Sequence, residues 1–322
     1  MKNIKIIEAP SEVGCAKLGA SLGPAAIKIV AGQRKNDFFS RNERVTIPDS
    51  NSILSNGGST TTCVNAKRIS YVLEACQHTC NTVCDTLESG RFPVVLSADH
   101  SSAAGVIAGV KKAYEKERVG VVWIDAHSDL HTPFTTYSGN MHGMPLGAVL
   151  GLDAEARSLL NKEPNVLPES VQRQWTHLKE LGGTTAKINI EDLILVGVRY
   201  FKPEHRAVID DKNIKLYTVD DVRKAGGSAV ADAINKHLSV CDRVFISFDV
   251  DSLDCDEVSR GTGTPEPEGL YLKEAIELVS GLMKNPQVIG LEIAEVNPLL
   301  DDKGNAMAEA AWELLEHCIV DA

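Results

Sequence analysis

The chain has 322 residues, 43% apolar and 24% charged, which is close to the globular average; a large buried core is available, and disordered, collagenous and low-complexity readings fall away. Acidic residues outnumber basic ones by 44 to 33, a net charge of −11. That balance argues against a nucleic-acid or anionic-membrane partner, which needs a basic face, and suits a protein that attracts metal ions or a cationic small molecule.

In chain order, β-type runs and helical patterns alternate. A strand is expected at 3–8 (NIKIIE), then a helix over 66–88 whose Ile69, Val72, Leu73, Cys76, Cys80, Val83, Cys84 and Leu87 fall on one apolar face. Strands at 92–96 and 119–124 flank a helix at 103–114. The stretch 153–187 is polar, with Pro164, Pro168 and Gly182–Gly183, and reads as one or two inserted helices. Strands at 193–198, 214–218, 244–248 and 288–293 follow, interleaved with helices at 229–238, 272–283 and 307–319. Several strands are nearly all apolar, as strands covered on both faces of a parallel sheet must be. The pattern predicts an α/β sheet with helices on both sides, in a single domain spanning 1–322.

No run reaches the roughly 18 apolar residues that crossing a bilayer requires, and the opening MKNIKIIEAP is too short in apolar residues for a signal peptide. Eight cysteines without CxxC spacing then read as reduced thiols of a cytoplasmic protein. Cys76, Cys80 and Cys84, four apart, read as small apolar side chains packed on one helix face.

The chemistry is concentrated where strands end. The strand at 92–96 runs into Asp99–His100, the strand at 119–124 into Asp125-Ala126-His127-Ser128-Asp129, and the strand at 244–248 into Asp249-Val250-Asp251. The strand at 288–293 leads into Glu295. In an extended chain, alternate residues share a side, so Asp125, His127 and Asp129 converge, as do Asp249 and Asp251. With His100 this makes two imidazoles and four carboxylates at the sheet edge where α/β proteins bind ligands. Such a cluster raises its own pKa values unless positive charge offsets it; Arg199 could offset one acid, a divalent pair all of them. Oxygen-rich ligands with two imidazoles suit Mn²⁺, or Co²⁺ or Fe²⁺.

DAHSD, SFDVDSLD and GLEIAEVNP resemble the signature blocks of the ureohydrolase (arginase/agmatinase) family, and ADHS stands where that family usually has GGDHS. The resemblance implies a three-layer α/β/α fold with a mostly parallel eight-stranded sheet and two Mn²⁺ per chain, with Co²⁺ as the alternative. His100 and Asp129 would ligate one ion and His127 and Asp251 the other, with Asp125 and Asp249 bridging. It implies attack by a metal-bridging hydroxide on a guanidinium carbon, with Asp129 relaying a proton, Glu295 pairing with the guanidinium and His142 shuttling protons. Ser138 and Asn140 would hold an α-carboxylate, with His131 and Thr264 as further substrate contacts.

The SGNxHG element resembles the arginase branch, whose substrate is L-arginine, while GTGTPEPEGL at 261–270 looks agmatinase-like; agmatine and guanidinobutyrate remain alternatives, as does a non-catalytic metal-binding homologue. His131 replaces the usual Asn, and Lys202 stands where the family places an Asp for the substrate's ammonium; Glu204 is the nearby acid that could take that role. His131, the HGMPLG run and the polar insertion resemble a bacterial subgroup typified by the Helicobacter enzyme. The family resemblance also implies a homo-oligomer, trimer or hexamer.

Overall fold

In the computed structural model, which describes residues 2–55 and 63–320, the apolar runs become strands of one sheet. These are β1 (Ile4–Ala9), β2 (Glu43–Thr46), β3 (Phe92–Ser97), β4 (Val119–Ile124), β5 (Leu193–Val196), β6 (Lys215–Tyr217), β7 (Arg243–Asp249) and β8 (Val288–Ala294). Every residue of β3, β4 and β5 is buried, which explains why these segments lack polar alternation. Along β4 the side chains divide between two layers. Val121 and Trp123 enter one apolar cluster, Val122 and Ile124 the other.

The helices that make those layers are α1 (Gly23–Gln33), α2 (Ile69–Glu88), α3 (Ala103–Ala113), α4 (Glu169–Glu180), α5 (Pro203–Lys212), α6 (Val219–Ala225), α7 (Gly227–His237), α8 (Leu272–Met283) and α9 (Ala306–Leu315). Residues of α1, α6, α7, α8 and α9 cover one face of the sheet, around the buried Trp312. Residues of α2, α3 and α5 cover the other. Outside this second layer, α4 lays Val171, Trp175 and Leu178 on the Cys76–Cys80 stripe of α2. The Trp175 indole donates to Asp153 Oδ1 at 2.9 Å and Lys179 pairs with Asp153 at 2.7 Å, so the polar 153–187 segment is anchored at its start.

The cysteine stripe has a packing role. A Cβ added at Gly105 of α3 would meet the Cys76 carbonyl oxygen at 2.5 Å, and one at Gly109 the Cys80 carbonyl at 2.5 Å. Two glycines one turn apart thus let α3 lie against the α2 backbone. All eight cysteines are free and buried.

All strand pairs are parallel, in the order β2-β1-β3-β8-β7-β4-β5-β6. Strands β8 and β7 insert between β3 and β4, so the carboxyl ends of four central neighbours meet at one edge although they lie far apart in sequence. That is the topological switch of an open α/β sheet, where ligand crevices form.

Some elements differ from the sequence expectation. The long helix starts at Ile69 rather than at 66 because Arg68 takes a left-handed φ of 54°. β5 stops at Val196 because Gly197 turns with φ 82°. β2, α1, α5 and α6 are absent from that expectation: β2 (ERVT) is a short, largely exposed edge strand, whereas α1 buries Ala26, Ile27, Val30 and Ala31 on one face.

Candidate metal centre

β4 hands its register directly to the first acid: the Asp125 N–H continues the ladder by donating to Val196 O at 3.0 Å. His127 follows on the same side. Asp129 arrives differently from the extended path expected, through a left-handed turn with φ 47°. This conformation is tolerated best by Asp and Asn among residues with side chains. His100 opens the turn after β3, where the Asp99 carboxylate accepts from the Ser101 N–H at 2.9 Å and the Gly14 N–H at 2.8 Å. Asp251 sits in the turn after β7, its N–H donating to Asp249 Oδ1 at 2.8 Å.

The six expected residues come together. His100 Nδ1 lies 3.0 Å from Asp249 Oδ2, 3.1 Å from Asp125 Oδ2 and 3.6 Å from Asp129 Oδ2. His127 Nδ1 lies 2.9 Å from Asp251 Oδ2 and 3.5 Å from Asp125 Oδ1. Two groups of ligand-type atoms therefore form, His100–Asp125–Asp129 and Asp125–His127–Asp251, joined by the two oxygens of Asp125. Asp249 joins the first through its contact with His100.

The imidazole of His100 is set up as a ligand. Its Nδ1 is buried and makes no hydrogen bond in spite of its three carboxylate neighbours. Its Nε2 lies 2.8 Å from Ser247 Oγ, and that hydroxyl donates to Glu292 Oε2 at 2.8 Å. Because the Ser247 proton points at Glu292, the hydroxyl accepts from His100 Nε2–H, so that Nδ1 is the nitrogen that can turn a lone pair to a cation once a cation rather than a proton answers the carboxylates. Trp123 stacks on the ring at 4.0 Å and donates its indole N–H to Asp125 Oδ2 at 2.9 Å. Outer partners of this kind fix the tautomer and orientation of metal-binding histidines.

Charge makes the same demand. Asp125, Asp129, Asp249 and Asp251 are at most 7% exposed. Burial, then the Asp125 charge, pushes Asp129 well above the ordinary carboxylate range; burial, then Asp251, does the same for Asp249. Burial works against charged His100 and His127, yet the facing acids lift both well above the usual imidazole value. Two divalent cations would neutralise four carboxylates without these displaced protons. The donor set has no thiolate, and carboxylates with imidazoles fit Mn²⁺-type ions.

Arg199 does not supply the compensating charge. Its guanidinium donates to the carbonyls of Asp251, Glu266 and Pro267 at 2.9, 2.7 and 2.7 Å, and so ties down the loops after β7.

Beside the acids lies a cavity of about 400 Å³ lined by His127, Asp129, Asp249 and Asp251 on the inside and by His131, Ser138, Asn140, His142, Lys202, His205 and Thr264 farther out. Thr264 lines it and also donates to Asp251 Oδ2 at 3.0 Å. Asn140 Oδ1 accepts from Lys67 Nζ at 3.2 Å. His142 Nδ1 meets Glu295 Oε1 at 3.0 Å; burial opposes its charge, but Glu295 lifts it to about 9. Glu295, itself left-handed at φ 69°, is 1% exposed and is not among the residues lining the cavity; it contacts the lining residue His142, and its second oxygen is buried without a partner.

Glu204 is not where the sequence reading needed it. It is 1% exposed and absent from the cavity wall, and its Oε1 accepts from Tyr137 Oη at 2.6 Å and Lys162 Nζ at 3.2 Å, with Arg157 Nε 3.6 Å away. Two residues of α5's first turn and cap face the cavity instead: Lys202 and His205. Burial, then His127, pushes His205 down to about 4, so its ring is neutral near pH 7.

The arginase family model matches residues 2–320. The chain belongs to the arginase family. The arginase of Bacillus subtilis strain 168 is 33% identical over 98% of this chain and 97% of its own length. Among solved structures, Entamoeba histolytica arginase in complex with L-ornithine superposes with a TM-score of 0.83 at 27% identity, covering 99% of both chains. Helicobacter pylori arginase shares the fold, with a TM-score of 0.76 at 24% identity over 98% of both chains. The fold is thus shared with these two structures along nearly the whole chain.

Proposed function

We propose that this chain hydrolyses the guanidino group of L-arginine to L-ornithine and urea at a pair of divalent ions, Mn²⁺ first among them. The observation that carries the reading is the pair of buried ligand groups sharing Asp125, with His100 Nε2 bonded to Ser247 and Nδ1 facing the carboxylates. His100 and Asp129 would hold one ion, His127 and Asp251 the other, with Asp125 and Asp249 between them. Bound there, such a pair supplies the positive charge that makes water acidic enough to act as a nucleophile near neutral pH.

The chain's own residues do the rest. Glu295 offers its unpartnered Oε2 to a guanidinium N–H, and the planar cation presents donors in the geometry a carboxylate accepts. Asp129 takes up a proton at a carboxylate oxygen beside the reacting carbon. His142, held as an imidazolium by Glu295, delivers a proton to the departing amine. Ser138 and Asn140 line the outer cavity and can donate to the substrate's carboxylate.

We read the chain as one folding unit that assembles as a trimer or hexamer in the cytoplasm. Eight free thiols suit a reducing compartment, and no described helix is long and apolar enough to cross a membrane. Urea and ornithine release from L-arginine by Mn²⁺-loaded protein tests the function. Absence of urea from every guanidino compound would end the reading.

A further inference from the structure

The inner half of the cavity is walled by the acids and the imidazole of the metal centre. The outer half has an unusual charge. Among the described cavity-lining residues the only carboxylates are Asp129, Asp249 and Asp251, all in the metal centre. Of the two acids in the surrounding loops, Glu204 commits Oε1 to Tyr137 and Lys162 while its Oε2 is buried without a partner and off the cavity wall, and Glu266 lies 3.9 Å from His127 Nε2. The one full charge on the outer wall is positive. Lys202 lines the cavity, with Nζ 4.9 Å from the centre of the Tyr200 ring.

Next to it stands a hydrogen-bond donor without an acceptor. The Lys202 backbone N–H points to His205 Nδ1 at 3.4 Å, so in the neutral ring the proton sits on Nε2. That Nε2–H is buried and unpartnered, in a residue only 5% exposed. An orphaned buried donor costs about 1–3 kcal/mol unless something accepts from it. Both residues belong to the N-terminal end of α5, whose dipole adds positive potential at the same place. A cation, an unused N–H and a helix N-terminus together describe a seat for an anion.

We propose that Lys202 and His205 make the outer cavity a carboxylate-receiving site that disfavours an α-ammonium, so that the preferred substrates are ω-guanidino acids lacking the α-amino group. The proposal rests on the ureohydrolase reading of the site and refines it. L-arginine is turned over, and 5-guanidinopentanoate, the same molecule without its α-amino group, is turned over better.

The test is urea release by the Mn²⁺-loaded enzyme from L-arginine, 5-guanidinopentanoate and agmatine, in the wild type and in Lys202→Asp. Like charges about 4 Å apart repel by an amount worth about fivefold in binding in bulk water and well over a hundredfold near a protein surface, so about tenfold is a modest expectation for a solvated lysine. The expected kcat/KM for 5-guanidinopentanoate therefore exceeds that for L-arginine by about tenfold, agmatine is poorest, and Lys202→Asp reverses the order of the first two. Calorimetry gives a second readout: wild type binds 5-aminopentanoate more tightly than L-ornithine, and Lys202→Gln narrows the gap. Lys202 is a half-buried helix cap, so both variants keep the fold. Equal or better turnover of L-arginine by wild type, with its preference unmoved in Lys202→Asp, overturns this proposal and leaves the function standing. Urea from none of the three compounds overturns the function itself.

Discussion

Replacing Ser247 with Ala removes one hydroxyl that lies outside the metal centre, and its consequences follow from the bonds it makes. Ser247 Oγ accepts from His100 Nε2 and donates to Glu292 Oε2, each at 2.8 Å, and all three side chains are at most 1% exposed. Without it, His100 Nε2–H and Glu292 Oε2 both lose a partner in a dry environment. Each buried group left unsatisfied costs about 1–3 kcal/mol, so denaturant unfolding should show a loss of roughly 2–6 kcal/mol. Glu292 keeps its bond from Ser97 Oγ at 2.6 Å, which argues for the lower part of that range. The second effect is on the tautomer. With nothing to accept from Nε2–H, the imidazole proton is free to move to Nδ1 beside three carboxylates, and the lone pair meant for a cation is lost. Losing an outer partner of a metal-binding histidine typically weakens affinity about 10–100-fold. Calorimetric titration with Mn²⁺ measures this directly. Affinity within about twofold of wild type would refute the tautomer argument.

His142 is held as an imidazolium up to about pH 9, because Glu295 overcomes the opposing effect of burial. Turnover should therefore fall as pH rises through about 9, and His142→Asn should lower kcat, erase that alkaline limb and leave the metal content intact. Glu204→Gln should destabilise the chain by about 1–3 kcal/mol by loosening Tyr137 from Lys162 and Arg157. It should change KM for L-arginine and for 5-guanidinopentanoate by the same factor; an effect on L-arginine alone would mean that Glu204 receives the ammonium after all. Gly105→Ala should cost about 1–3 kcal/mol despite alanine's better helix propensity, because the new methyl meets the Cys76 carbonyl at 2.5 Å and backbone cannot step aside. A stabilised variant in thermal unfolding would contradict that packing.

The parts of the site legible in sequence are those that short runs encode. DAHSD and DVD each put their acids on one side by the two-residue period of an extended chain, and each follows an apolar strand that announces its own carboxyl end. What joins residues from different strands was not legible. Ser247 and Glu292 lie 147 and 192 residues beyond His100, and they meet it only because β7 and β8 insert beside β3. Nothing local in the sequence states that order. Backbone turns were equally hidden: the left-handed Asp129 and Glu295 are reached through conformations that a pattern of residue types does not display.

Long side chains misled in another way. Arg199 was placed at the right strand end, but its reach allowed it to satisfy backbone carbonyls rather than acids. Glu204 stood in the right loop and turned toward Lys162 and Tyr137, because the first turn of α5 presents Lys202 and His205 to the cavity and Glu204 to the 153–187 segment. The cysteine stripe behaved as its composition suggested, since small thiols one turn apart fit against the two glycines of α3.

Asp125, with one oxygen toward His100 and the other toward His127, would join two cation sites in one buried centre. Measuring bound metal per chain after Mn²⁺ loading and removal of free ion, in wild type and in Asp125→Ala, tests it most directly. Wild type should hold two ions per chain, and the variant should lose both together with urea release. Two ions retained by Asp125→Ala, or fewer than one bound by wild type, would contradict it.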